Sequence, residues 1–138
     1  MREILFRGKT EDGKWEYGYP YEIYRNCHTR KVIARPPDAF GKGKYTEIID
    51  ETLSQFTGLT DKNGTKIFEG DILKDNWGKI YKVIFSTQSC SFMVECTKAP
   101  NEYEIGRYRI GKAWCDTIEV IGNIHDNPDL IGGVADAT

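Results

Sequence analysis

The sequence predicts a mainly β protein, a small barrel or roll with an N-terminal β-hairpin extending from it and one short helical turn. Three observations carry that prediction. Trp15, Tyr17, Tyr19, Tyr21 and Ile23 alternate with Glu16, Gly18, Pro20, Glu22 and Tyr24, a period of two that belongs to strands rather than helices. Aromatic residues make up 12% of the chain and 14 glycines punctuate it, a composition that favours strands joined by tight turns. From about Gln55 to Leu130, short apolar runs follow one another with only Gly-rich turns between them, as consecutive antiparallel strands do. A chain of 138 residues is most simply one domain. Within it we assign residues 1–50 to the hairpin and a basic loop, 51–131 to the barrel region and 132–138 to a flexible tail.

Taken in order, residues 3–7 read as a short strand and Asp12-Gly13 as the turn after it. The aromatic row follows. Pro20 has no amide to donate, so its strand is expected at an edge or bent there. The row is read as a core face, with an exposed stacking platform for bases or sugars as the alternative. Residues 25–44 are loop-like around Pro36-Pro37 and Gly41-Lys42-Gly43-Lys44, with Val32-Ile33-Ala34 as one short strand inside them. Residues 45–50 form a strand that buries Ile48 and Ile49. Residues 50–56 read as a helical turn or slightly more, with Asp50 as N-cap and Gly58 as stop. Asn63-Gly64 can take positive φ at both positions and predicts a type I′ hairpin. Residues 66–69 then reach a Gly70-Asp71 corner, from which Ile72-Leu73-Lys74 leaves. Asn76-Trp77-Gly78 is another turn signal. Residues 80–85 are apolar on both parities, which fits a central strand covered on both faces. Residues 90–96 are the next strand, 103–110 alternate weakly, and 118–124 are the last strand. Asn127-Pro128 ends it.

Three blocks together carry a resemblance. They are MREILFRGK at residues 1–9, GLTDKNGTKIFEGDIL at 58–73 and VIGNIHDNPDL at 120–130. In this order they resemble the YopX family, a group of small bacteriophage and prophage proteins. The blocks touch both ends, so the resemblance covers essentially the whole chain. It implies an SH3-like barrel domain and a phage or prophage origin. It implies no activity and brings no catalytic residues with it.

Composition excludes several function classes. The net charge is −2 and the pI about 5.7, so bulk charge does not make the chain a polyanion binder. No run is long and apolar enough to span a bilayer, and the first residues lack the apolar segment of a signal peptide. The protein is therefore expected in the bacterial cytoplasm, away from membranes, with its four cysteines as thiols.

The side chains able to do chemistry have plainer uses. Cys27, His28, Cys90, Cys96, Cys115 and His125 are the available soft ligands, and none shows the short paired spacing of structural zinc. Only His28 and His125 could activate a nucleophile, and neither has a local signature. Glu69 and Asp71 flank Gly70, but an Asp after a Gly at a corner is better read as capping backbone amides. No phosphate loop, dinucleotide fingerprint or HExxH occurs. The sequence thus predicts no catalytic, metal or cofactor site and no enzyme.

Charge is the uneven feature. Residues 25–44 hold Arg25, Arg30, Lys31, Arg35, Lys42 and Lys44 against Asp38, a net of +5, whereas residues 113–138 hold five acids and no Lys or Arg. Opposed patches of this kind favour association within or between subunits. The leading expectation is a non-enzymatic interaction module that forms a homo-oligomer or binds a protein partner. The alternative is nucleic-acid binding through the six basic residues, which the acidic end and the net charge disfavour. The third is an enzyme of unknown class.

Overall fold

The computed structural model describes residues 3–34 and 45–131. Eleven strands, one short α-helix and three 3₁₀ turns are found among them. The chain divides into two compact units, one ending at Phe56 and the other beginning at Thr57, whereas the sequence placed the division after residue 50.

In the first unit, β1 (Phe6–Lys9), β2 (Trp15–Arg25), β3 (His28–Ala34), β4 (Tyr45–Glu47) and the start of β5 (Ser54–Thr60) form antiparallel neighbours in the order β4-β3-β2-β1-β5. Strand β2 changes partner partway. Residues 15–18 pair with β1, and residues 19–25 pair with β3. Pro20 therefore lies where β2 has a neighbour on one side only, the edge position that a missing amide tolerates. The β2–β3 connection is a two-residue loop, Asn26-Cys27, with φ of 53° and 64°. Positive φ at both positions makes it a type I′ turn.

The aromatic row of β2 is not the core face. A Cβ on Gly18 would overlap the Ala34 carbonyl oxygen and crowd Ile33, and one on Gly8 would overlap Ile48. Gly8 and Gly18 are glycines because Ile48 and Ile33, both buried, press against them. Tyr17, Tyr19 and Tyr21 have the other parity and remain 46%, 44% and 58% exposed. Among the described residues of the unit, Phe56, Val32, Ile33 and Ile48 are the buried apolar side chains.

In the second unit the remainder of β5 lies beside β6 (Lys66–Phe68). A separate antiparallel sheet runs β10-β9-β8-β7-β11. Its strands are β7 (Asp71–Lys74), β8 (Ile80–Ser86), β9 (Ser91–Lys98), β10 (Gly106–Arg109) and β11 (Glu119–Asn123). Strand β8 is central, as its two-sided apolar pattern requires. Ile67, Leu73, Tyr81, Val83, Val94, Cys96, Cys115 and Ile118 form one core cluster. The Tyr81 ring meets Trp114 and Tyr108 edge-on at 5.0 and 6.4 Å, an arrangement that aligns ring edges with ring faces.

The class is mainly β, as predicted. Among the described residues neither sheet closes into a barrel, since each order ends on two different strands. The helical turn over residues 50–56 shrinks to a 3₁₀ turn at Asp50–Thr52 without a side-chain cap, and Gly58 lies inside β5. Pairing explains the difference. Phe6 and Arg7 pair with Gln55 and Ser54, and Thr52 Oγ1 accepts from the Lys9 amide at 2.8 Å. A helix of two turns has too few bonds of its own to compete with a sheet partner. Ile48 is buried as expected but Ile49 is exposed. A four-residue helix α1 (Lys112–Cys115) lies between residues 103–110 and the last strand. The proposed tail, residues 132–138, lies outside the described residues.

Candidate functional surfaces

Three loops share one five-residue construction. They are Thr10 to Lys14, Asp61 to Thr65 and Asp75 to Lys79. In each, the first amide donates to the fifth carbonyl (2.8, 2.9 and 3.1 Å), and the glycine amide donates to the first carbonyl (3.0, 3.0 and 3.3 Å). Gly13, Gly64 and Gly78 take φ of 88°, 82° and 84°, a region open to residues without a Cβ. The first side chain completes the ring. Thr10 Oγ1, Asp61 Oδ1 and Asp75 Oδ1 accept from the fifth amide at 3.1, 2.9 and 2.9 Å. This construction replaces the type I′ turn expected at Asn63-Gly64. Only Gly64 is left-handed, and the Asn63 amide donates to Asp61 Oδ1 at 2.8 Å. A short oxygen-bearing side chain, Thr or Asp, competing for local amides imposes this geometry.

The same carboxylates hold more distant elements. Asp61 Oδ2 accepts from the Val120 amide at 2.9 Å and so pins β11. Asp75 Oδ2 accepts from the Tyr81 hydroxyl at 3.1 Å, and burial together with Asp75 raises the Tyr81 pKa well above the usual phenol. Asp71, 1% exposed, accepts from the Phe68 amide at 2.7 Å, which is the capping role expected for it. At the end of β11, Asn123 Oδ1 accepts from the amides of His125 and Asp126 at 3.0 and 2.9 Å. These polar residues of the second and third sequence blocks are therefore engaged by backbone and by one another. His125 lies in this turn.

Among the soft ligands, Cys96 and Cys115 are buried in the core and Cys27 and Cys90 are exposed on turns. Burial pushes the Cys115 thiol up to about 11 and raises that of Cys96. Among the described residues no three His, Cys, Asp or Glu side chains are placed to hold a metal ion.

Of the six basic candidates, Arg30 is exposed and Lys31 half-buried on β3. They are consecutive in a strand and so face opposite sides. Arg25 ends β2. Arg35, Lys42 and Lys44 lie outside the described residues. Arg30 also lines a cleft in the first unit with Glu11, Asp12, Glu47, Asp50 and Glu51. There the Thr10 hydroxyl bonds Asp12 and lowers its pKa.

Exposed aromatic side chains form the remaining features, one group in each unit. In the first, pairing puts Arg7 beside Tyr17, Lys9 beside Trp15, and Ala34 between Tyr19 and Tyr45. Paired residues share a sheet face. The Arg7 guanidinium lies 4.5 Å from the Trp15 ring centroid and Lys9 Nζ 6.0 Å from it. In the second, Trp77 is 75% and Tyr103 90% exposed. Trp77 is the third residue of the Asp75 loop, where its amide donates to Asp75 Oδ1 at 2.9 Å. Tyr103 is the middle of the 3₁₀ turn Glu102–Glu104. A Lys79–Glu104 ion pair of 3.2 Å joins the two turns. The Asn76-Trp77-Gly78 signal in the sequence already placed Trp77 on a turn.

Comparison with known proteins gives a consistent picture. The family model described as YopX protein matches residues 5–132. No curated protein matches the chain. Among solved structures, protein EF1440 from Enterococcus faecalis is 23% identical and superposes with a TM-score of 0.52 over 95% of this chain and 99% of its own. That likeness concerns the fold. Among the described residues no helix is long and apolar enough to cross a membrane.

Proposed function

Because the chain belongs to the YopX family, we propose that it is a non-enzymatic β module acting by contact with a protein partner, a second copy of itself included. The observation that carries this is the placement of Trp77. A large apolar side chain stands in solvent on a turn whose backbone Asp75 fixes, with Tyr103 on the turn that Lys79 and Glu104 tie to it. Trp and Tyr dominate the energetics of protein interfaces, and anchors already held in place lose little freedom on binding. The engagement of Asp61, Asp71 and Asp75 with backbone and phenol supports a structural rather than catalytic use of the chain's carboxylates. The family resemblance suggests that the partner is met in the cytoplasm of a phage-infected or prophage-carrying bacterium.

Light scattering at micromolar protein, in low and high salt, tests self-association. Capture from such cells with the native chain and with Trp77→Ala tests a foreign partner. The expected result is an oligomer, or a captured protein, that Trp77→Ala removes while the thermal midpoint stays unchanged. A monomer at both salts, together with capture indifferent to Trp77→Ala, would sink the proposal.

A further inference from the structure

The far half of β2 has an open edge. Residues 19–25 pair with β3 on one side. Among the described residues no strand lies along their other side, since β1 reaches only Gly18. The hairpin loop shows which groups look outward. Residues flanking a two-residue loop exchange both of their hydrogen bonds, and here those residues are Arg25 and His28. Counting back by twos, Ile23, Tyr21 and Tyr19 bond β3, whereas Tyr24, Glu22 and Pro20 turn their main chain away from it. Pro20, which has no amide to offer, falls in the outward set, as an edge position requires. Glu22 and Tyr24 each present an amide and a carbonyl along the edge. Proteins blunt such edges with bulges, Pro or Lys. Pro20 guards one end of this edge, but the β2–β3 register runs without a shift and no Lys lies between Pro20 and Arg25. Beside the edge, Tyr24 is 75% exposed. Glu22 and Pro20 share its face by parity, and with Lys31 and Leu53 they line a recess of about 290 Å³. Ile23 is half-buried and belongs to the other face.

We propose that this edge pairs antiparallel with the same edge of a second copy, about a two-fold axis through Ile23. The outward groups set the register. With Ile23 opposite Ile23 of the second copy, Glu22 lies opposite the second copy's Tyr24, and Tyr24 opposite its Glu22. Both pairs then exchange both of their hydrogen bonds. Pro20 falls opposite Asn26, beyond the paired strand, so its missing amide is not called on. The next two-fold register would oppose Glu22 to Glu22, a like-charge pair, and Tyr24 to Pro20, which cannot return a bond. A longer foreign strand would also have to pass Pro20. In the proposed register each Tyr24 lies across from Glu22 on the side of the recess, and Pro20 is within the diagonal reach of an aromatic ring. The exposed ring thereby gains the apolar surface of Pro20 and Leu53 in the other copy. This contact gives a surface to the self-association included in the proposed function, but it uses neither Trp77 nor its turn, and its test is read separately.

The test has two arms. Sedimentation of the full chain at about 100 μM should give a dimer, because a short edge is a small interface at the weak end of the range. High salt should leave that dimer intact, because main-chain bonds carry it. Ile23→Lys sets two ammonium groups against each other at the axis, and Glu22→Pro removes an outward amide. Each should give the monomer, with the thermal midpoint at low concentration close to native. Trp77→Ala should leave the dimer in place. The second arm reads the register. In a chain carrying Cys27→Ser and Cys90→Ser, Ile23→Cys should form an intermolecular disulfide with oxidised glutathione, because a non-hydrogen-bonded pair sets its Cα atoms about 4.5 Å apart, inside the disulfide range. Tyr21→Cys should not, because it lies four positions out of register, roughly 13 Å at about 3.3 Å per residue. A monomer at about 500 μM overturns the proposal, since even weak interfaces associate there. So does a dimer that Trp77→Ala abolishes and Ile23→Lys does not, or a cross-link through Tyr21→Cys in place of Ile23→Cys. A monomer that instead takes a foreign strand along Glu22 and Tyr24 equally overturns it.

Discussion

Tyr81 and Tyr21 both lie in strands, one in each unit, yet Tyr81 is buried in a core and Tyr21 is largely in solvent. The residues around each ring account for the difference. Tyr81 faces Cys96 on β9, Val83 of the same parity faces Val94, and Asp75 accepts from the Tyr81 hydroxyl. A buried phenol needs such a partner. On β2 the buried position is Gly18, of the other parity, which lets Ile33 approach closely, as Gly8 on β1 does for Ile48. Alternation therefore identifies a strand but not which side of it is inside. The side with the larger side chains is inside only where the neighbouring chain leaves room for them.

The largest expected effect tests the second unit's core. Leu73→Ala removes a fully buried side chain from the cluster and should destabilise by about 2–5 kcal/mol, read from urea midpoints. A cost below about 1 kcal/mol would mean the cluster is not the unit's principal core.

Next comes the glycine face of the first unit. Gly18→Ala places a methyl group against the Ala34 carbonyl, backbone that cannot rotate away, and should cost about 1–3 kcal/mol. An unchanged midpoint would remove the explanation given for the outward tyrosines.

A smaller effect is expected at Gly64. Nothing lies within 4 Å of a Cβ built there, but its φ is 82°. Gly64→Val should therefore cost roughly 1 kcal/mol or more through backbone strain alone. A midpoint equal to that of the native chain would refute the left-handed position.

Alkaline pH should loosen the second unit. Burial raises the Cys115 thiol from 9.0 to about 11, so the folded state keeps this proton longer than the unfolded state. Its contribution is complete below pH 9 and is lost as the pH rises from 9 through 11. The raised Tyr81 adds a further loss above about pH 10, where an unfolded tyrosine ionises. Between pH 8 and 11 the urea midpoint should fall more for the native chain than for Cys115→Ala. Equal slopes would show that Cys115 titrates alike in both states.

The smallest expected effect is at Tyr21. Tyr21→Ser removes an exposed ring and should change stability by less than about 0.5 kcal/mol. A loss above 2 kcal/mol would mean that the ring is covered in the native protein and that the contrast with Tyr81 is void.

The family was legible in the sequence because its blocks consist of turn-makers. Gly58, Asp61, Gly64, Gly70, Asp71, Gly122 and Asn123 specify backbone shapes through few neighbours, and most of those neighbours are within five residues. The same locality made the strands around residues 15–25, 80–85 and 118–124 recognisable from their own pattern. The surfaces were less accessible. A turn at Trp77 could be read from Asn76-Trp77-Gly78. The exposure of Tyr17, Tyr19 and Tyr21 could not, because it depends on Gly8, Ile33, Ala34 and Ile48, which reach β2 only through long-range pairing and packing. The 3₁₀ turn at Asp50–Thr52 was misjudged for the same reason, since β1 decides the conformation of residues 54 and 55 from nearly fifty residues away. Sequence by itself determined the β class, the family and the turns, because those are set by the φ/ψ preferences of single residues and by period-two patterning. Only the tertiary structure decided which face of each strand is buried and whether the sheets close, because both depend on the space that a distant segment leaves.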